Sequence, residues 1–153
     1  MILNIGDNAP DFTLPTDTND LLTLSHLRGQ WVLLYFYPKD NTPGCTQEAC
    51  DFRDHFAQLT SRHVVVLGVS KDSREAHAKF KQKYQLPFPL LVDADLKVCK
   101  QYGVVNPKSL FGKSFLGITR SSFLIDEHGL IRAIWRKVKV NGHVAQVLAS
   151  FSG

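Results

Sequence analysis

Two of the chain's three cysteines, Cys45 and Cys50, lie five residues apart in the stretch TPGCTQEAC. Thiol chemistry runs through the thiolate, so the first question is what would favour that form. Thr42 reads as a helix N-cap, and Pro43 suits the first helical position. Cys45 then falls in the first turn, where backbone N–H groups without helical partners face its side chain. Such a site favours an anion and makes Cys45 a candidate nucleophile. Gly44, having no side chain, would let a small substrate approach the backbone closely.

Cys50 poses a geometric problem. Five helical steps from Cys45 give a rise of about 7.5 Å and a rotation roughly 140° away from the same face. Disulfides seldom span Cα separations above about 7 Å. The two thiols therefore cannot pair while the helix is intact, and pairing would require its first turns to unwind. A pair that must break structure to bond is a poor static staple and suits a redox cycle. Other readings stand beside this one. A metal site would need further ligands, and neither Cys99 nor the scattered histidines show zinc spacing. A dithiol exchanger would carry C-x-x-C, which is missing. Small buried thiols are a reasonable reading for Cys50, beside Ala49, and a weaker one for Cys45 among Thr, Pro and Gly.

The surrounding pattern predicts the elements that position these groups. Ala9–Leu14 reads as a short opening strand, and Leu21–Leu27 alternates before a turn at Arg28-Gly29. Trp31–Tyr37 is almost wholly apolar, as in a strand buried on both faces. Thr46–Leu59 has helical spacing, His63–Val69 is a second buried strand, and Ser73–Tyr84 a polar helix. Phe88–Val92 suits a shorter strand, Leu96–Tyr102 a short helix, and Asn106–Gly117 a loop. Ser122–Asp126 and Leu130–Trp135 form a hairpin, and Gly142–Phe151 a terminal helix. Strands alternating with helices indicate an α/β domain with a parallel core, and the closing hairpin makes the sheet mixed. This is the order expected of a thioredoxin-like fold, with helices flanking a mixed central sheet.

With 153 residues and 44% hydrophobic content, the expectation is one domain, 1–153, around one core. No run approaches the length of a membrane span, and the start of the chain resembles no secretory or transit signal. An odd number of cysteines argues for a reducing compartment, so the protein reads as cytoplasmic. The net charge of +4 includes one local cluster, Arg132, Arg136, Lys137 and Lys139. Without stacking aromatics or a recognition motif, that cluster reads as a solvated strand face, not a nucleic-acid patch.

Pro38, Thr42 and Cys45 match the peroxiredoxin pattern P-x-x-x-T-x-x-C. The longer stretch YPKDNTPGCTQEACDFRD closely resembles the peroxiredoxin Q, or bacterioferritin comigratory protein, subfamily, and GDNAPDFTLP, GVSKDS and TRSSFLID extend the resemblance over nearly the whole chain. The resemblance implies a thiol peroxidase acting on hydrogen peroxide and organic hydroperoxides. It makes Cys45 the peroxidatic cysteine and Cys50 the resolving cysteine, joined in an intramolecular disulfide that thioredoxin or a glutaredoxin reduces. Thr42 and Arg120 correspond to the other two active-site residues. The resemblance further implies a monomer that needs no metal, haem or flavin. Some relatives place the resolving cysteine in a later helix, near KFKQKYQ, where this chain has none.

A low thiol pKa alone does not make a fast peroxidase. Lowering a thiol's pKa from about 8.5 to about 6 raises its thiolate fraction at neutral pH roughly 30-fold. Nucleophilicity falls with pKa at a slope of about 0.4–0.5, which returns roughly tenfold. The rate must instead come from donors aimed at the leaving oxygen as the O–O bond breaks. The Thr42 hydroxyl, the Cys45 N–H and the Arg120 guanidinium suit that role, with Pro38 shielding the thiolate from water. Arg120 precedes the strand SSFLID. If that strand runs antiparallel to WVLLYFY, its start lies beside the end that leads to Cys45. Glu48, one turn past Cys45, could hold Arg120 or simply face water, and is left outside the catalytic set. Cys99 reads as a packed core thiol, and the histidines are assigned no role.

Overall fold

The computed structural model describes residues 2–151. Its centre is a five-stranded mixed sheet built around the most apolar run of the sequence. The strands are β1 (Thr13–Pro15), β2 (Leu21–Thr23), β3 (Trp31–Phe36), β4 (Val64–Ser70), β5 (Leu90–Val92), β6 (Val105–Leu110), β7 (Lys113–Ile118), β8 (Ser121–Ile125) and β9 (Ile131–Arg136). The helices are α1 (Pro43–Asp54), α2 (Phe56–Ser61), α3 (Arg74–Tyr84), α4 (Lys97–Gln101) and α5 (His143–Ala149), with a short 3-10 turn over Leu24–Leu27. The central order is β5-β4-β3-β8-β9. β3, β4 and β5 are parallel, β8 runs antiparallel to β3, and β9 antiparallel to β8.

The alternation of side chains along β3 divides the apolar residues into two layers. Val32, Leu34 and Phe36 join Leu67, Val98, Cys99, Tyr102 and Phe123 on one face. Leu33, Tyr35 and Tyr37 meet Cys45, Ala49 and Phe52 of α1, Leu59 of α2, Phe80 of α3 and Val144 and Val147 of α5 on the other. Because β3 is central, both of its faces are covered, which is why its sequence carries no polar alternation.

Two expectations fail locally. The helical spacing read over Thr46–Leu59 starts at Pro43, where the cap residues place it, but is not one helix: it is broken at His55 (φ −108°, ψ 12°) into α1 and α2. The expected loop Asn106–Gly117 is a two-stranded ribbon, β6 paired with β7 from Val105↔Ile118 to Leu110↔Lys113. Its turn is Phe111-Gly112, both at positive φ (51° and 78°), the twist that closes two-residue hairpins. Most of its side chains are exposed, so no period-2 burial pattern marks it. Elsewhere the differences are shifts of strand and helix ends by a few residues. In the basic cluster, Arg132 lies 3.5 Å from Asp126 and the remaining three residues line the outer edge of β9 and the turn after it. No helix among the described residues is long and apolar enough to cross a membrane.

Candidate functional site

The site lies where β3 ends and α1 begins, at the C-terminal edge of the parallel strands, where open α/β sheets usually bind ligands. The loop 38–42 joins the two elements. Pro43 occupies the first helical position and Thr46 N–H donates to Thr42 C=O at 2.8 Å, so Cys45 stands in the first turn. It is buried, at 2% exposure, against Ala49 and Phe52.

Strand β8 brings the second group. Its register sets Ser121 opposite Phe36, so Arg120 emerges beside the end of β3, as the antiparallel arrangement requires. The Arg120 C=O accepts from Val138 N–H at 2.9 Å, which fixes the backbone there. The guanidinium reaches both thiol and carboxylate, with Nη2 3.3 Å from Cys45 Sγ and Nη1 2.7 Å from Glu48 Oε1. Glu48 is 1% exposed and its Oε2 has no hydrogen-bond partner among the described residues. Burial raises the Glu48 carboxyl to a pKa of about 7, although the charge and hydrogen bond of Arg120 pull it down. Burial also acts on Arg120, but Glu48 and Cys45 outweigh it and hold the guanidinium firmly charged. Glu48 therefore belongs to the cluster, as its one-turn spacing from Cys45 suggests.

Two other residues behave differently from expectation. Thr42 is the N-cap by position, but its hydroxyl caps no helical N–H; it donates to Lys39 C=O at 2.8 Å. With its one proton committed there, the Thr42 oxygen is left to accept a hydrogen bond, not to donate one. At Gly44, the space left by the missing side chain is taken by arginine: a Cβ there would stand 3.1 Å from Arg120 Nη2. Gly44 makes room for Arg120, a function that its place beside Cys45 did not reveal.

Pro38 is exposed and borders an open groove with Lys39, Leu96, Phe115 and Leu116. Cys50 is partly buried on the intact α1, unbonded, with its thiol pKa raised by burial. Cys99 is fully buried in the opposite layer, and burial together with Asp93 pushes its thiol far up. One cluster was not anticipated. Asp40, in the loop 38–42, lies 2.6 Å from His77 Nδ1 of α3 and accepts from the Tyr37 hydroxyl at 2.6 Å.

The arrangement can do one kind of chemistry well. A thiol at a helix N-terminus faces a fixed cation, and that cation is oriented by a buried carboxylate. Charge that develops on an atom bound to this sulfur would be met by donors already in place.

Comparison with known proteins agrees with the geometry. The AhpC/TSA family pattern matches residues 5–134. The chain is 60% identical over 148 residues to a protein named putative peroxiredoxin bcp from Coxiella burnetii, covering 97% of this chain and 98% of the other. Its fold matches a mutant of PrxQ from Xylella fastidiosa with a TM-score of 0.93 at 38% identity, covering 99% and 97% of the two chains. It also matches the bacterioferritin comigratory protein of Xanthomonas campestris, solved in a study of that protein's alkyl peroxide reduction activity, with a TM-score of 0.87 at 40% identity over 92% and 90% of the two chains.

Proposed function

The chain belongs to the AhpC/TSA family as a thioredoxin-like thiol peroxidase of the peroxiredoxin Bcp kind, and from that premise we propose that its peroxide reduction runs through Cys45 and Cys50. The observation that carries this reading is the 3.3 Å contact between Arg120 Nη2 and Cys45 Sγ, with Glu48 gripping the other arm of the guanidinium. The Cys45 thiolate attacks the nearer peroxide oxygen, the S–O bond forms, and the O–O bond breaks. Hydroxide or an alkoxide leaves, its negative charge met by Arg120 and the first-turn N–H groups as it develops, and it takes a proton from solvent to become water or an alcohol. Thr42 accepts the peroxide's O–H and orients it. Cys45 becomes a sulfenic acid.

Cys50 then attacks the Cys45 sulfur and expels water, forming the intramolecular disulfide. A dithiol reductant, thioredoxin or a glutaredoxin, supplies the two electrons that restore both thiols. Hydrogen peroxide and organic hydroperoxides are the substrates. The reading takes residues 1–153 as one domain, working as a monomer in the reducing cytoplasm and using no metal or other cofactor.

The test is the mass of the intact protein after one equivalent of hydrogen peroxide, alkylated under denaturing conditions and mapped by peptides. The expected result is a Cys45–Cys50 bridge with Cys99 still alkylated. A Cys45 sulfenic acid with Cys50 free would move resolution to an outside thiol. Three unreacted thiols would overturn the assignment of Cys45.

A further inference from the structure

The groups described so far leave a buried polar cluster unused on the far side of the loop 38–42. Asp40 is 8% exposed and His77 is fully buried. Asp40 Oδ2 lies 2.6 Å from His77 Nδ1, and Oδ1 accepts from the Tyr37 hydroxyl at 2.6 Å. His77 Nε2 lies 2.9 Å from Leu91 C=O on β5. The Asp40 N–H donates to Asp72 Oδ2 at 2.8 Å, and Asp72 also accepts from the Ser70 hydroxyl at 2.6 Å. Asp40, Asp72 and His77 are the one group among the described residues with ligand atoms close enough together to suggest a metal. Their lone pairs are already engaged with one another: Asp40 Oδ2 and His77 Nδ1 are in direct hydrogen-bond contact, and Asp72 Oδ2 accepts from both the Asp40 N–H and the Ser70 hydroxyl.

The peptide plane shows what this cluster does. The Lys39 C=O and the Asp40 N–H are the two ends of one planar unit. One end donates to Asp72 and the other accepts the Thr42 hydroxyl at 2.8 Å. The unit cannot turn to weaken one bond without disturbing the other, and the Asp40 side chain pins it to α3. We infer that Asp40 and His77 are positioning residues for peroxide reduction: they fix the Lys39 carbonyl, which accepts the hydrogen bond of the Thr42 hydroxyl and leaves the Thr42 oxygen aimed to accept from the peroxide O–H. This rests on the roles proposed for Thr42 and Cys45. Neither Asp40 nor His77 touches substrate.

The energetics fit a directional role. A buried carboxylate–imidazole pair contributes little net stability, because desolvation offsets much of its attraction. What it supplies is geometry. Both ring nitrogens of His77 face oxygens that can accept, a carboxylate and a carbonyl, so the pair needs a proton on each side. Burial disfavours the charged ring, but the hydrogen bond and charge of Asp40, the Leu91 carbonyl and the charge of Asp72 outweigh it and raise the His77 pKa. Tyr37 is the other titratable group against the pair, and its phenol stays protonated because burial raises its pKa well above the usual value. Losing one proton from the pair would set two lone pairs against each other and loosen the loop.

The experiment compares two reactions of Cys45 at one pH in the full-length reduced protein: oxidation by hydrogen peroxide, which needs Thr42, and alkylation by iodoacetamide, which does not. Asp40→Asn and His77→Gln should lower the peroxide rate about tenfold, the loss of one transition-state hydrogen bond, with alkylation within about twofold. His77→Asn keeps a donor near the Nδ1 position and should retain more of the peroxide rate than His77→Gln. If His77→Gln does not fold, Asp40→Asn carries the same expectation. In a Thr42→Val background, Asp40→Asn should add little, because the group it acts through is gone. A peroxide rate unchanged in the folded variants overturns the inference, as does a parallel fall in alkylation or a full second loss in the Thr42→Val background. If peroxide leaves Cys45 of the unmutated protein unoxidised, the fault lies in the assignment of Cys45 itself.

Discussion

Replacing Glu48 with glutamine should change how stability depends on pH. The carboxylate is 1% exposed, with one oxygen 2.7 Å from Arg120 Nη1 and the other unpartnered. Burial raises its pKa from 4.5 to about 7 despite Arg120. In the unfolded chain the group ionises near 4.5, so between the two values the folded protein holds more protons than the unfolded one. Unfolding then releases protons, and stability falls as pH rises through this window. A shift of this size corresponds to about 3 kcal/mol, fully present at low pH and lost above about pH 7. Glutamine does not titrate. The stability of the wild-type side chain relative to glutamine should therefore decline by about 3 kcal/mol across the window and be flat on either side. Any constant cost of weakening the contact with Arg120 cancels in that comparison.

The assay is urea unfolding of the reduced protein at intervals from about pH 4 to about pH 9. Both proteins would carry Cys45→Ser, so that the neighbouring thiol does not titrate. A relative stability that stays level, or rises with pH, would refute the reasoning. It would mean that Arg120 fully compensates the burial of an ionised Glu48.

Other expectations follow from the same contacts. Arg120→Ala should slow Cys45 oxidation by about a hundredfold, the scale of losing a preorganised donor, even at a pH where ultraviolet absorbance reports complete thiolate; equal rates would remove Arg120 from the reaction. Cys50→Ser should consume one equivalent of peroxide and then stall with thioredoxin as reductant; normal cycling would assign resolution to another thiol. Gly44→Ala should leave stability unchanged or slightly higher, because alanine is the better helix former, while its Cβ, 3.1 Å from Nη2, displaces Arg120 and lowers the peroxide rate several-fold. Melting curves and single-turnover kinetics together check it, and a full rate would show that Arg120 moves without consequence.

How far the sequence foretold this site depended on whether the relevant signal was local. β3 announced itself because it is buried on both faces, and the placement of Cys45 followed from Thr42 and Pro43 as helix-start residues. The antiparallel placing of β8 against β3 made Arg120 a candidate no better than a solvated arginine, and the resemblance of TRSSFLID to the family decided for it. The orientation of the Thr42 hydroxyl was not legible, because capping chemistry favours acceptance from the helix and the competing Lys39 carbonyl comes from the fold of the loop. For Gly44 the sequence suggested substrate access alone, and only the three-dimensional arrangement shows that a guanidinium also borders that space. The β6–β7 ribbon escaped because most of its side chains are exposed, and only Val105 and Ile118 at its base join a central layer. His77 was passed over because its partner, Asp40, lies 37 positions away.

The same contacts set a tension within α1. On the proposed cycle, peroxide reduction needs its first turn intact, with Cys45 held against Arg120. A bridge to Cys50 needs that turn undone. The C-terminal half of the helix is anchored independently: Phe52 is fully buried, and Arg53 Nη1 donates to Tyr84 C=O at 2.8 Å. The N-terminal half is anchored through the thiol and its cation. Releasing about five helical hydrogen bonds at about 1 kcal/mol each is an appreciable cost while that ionic contact persists. In that cycle, oxidation changes the balance, because the sulfur then carries an oxygen and no longer meets Arg120 as it did in the reduced site. On the proposed cycle, the first chemical step thus removes the interaction that held the first turn, and the second step uses the freedom it creates. The break at His55 keeps α2 out of the rearrangement, so the segment that must move ends before Phe52 and the sheet beneath it keeps its packing.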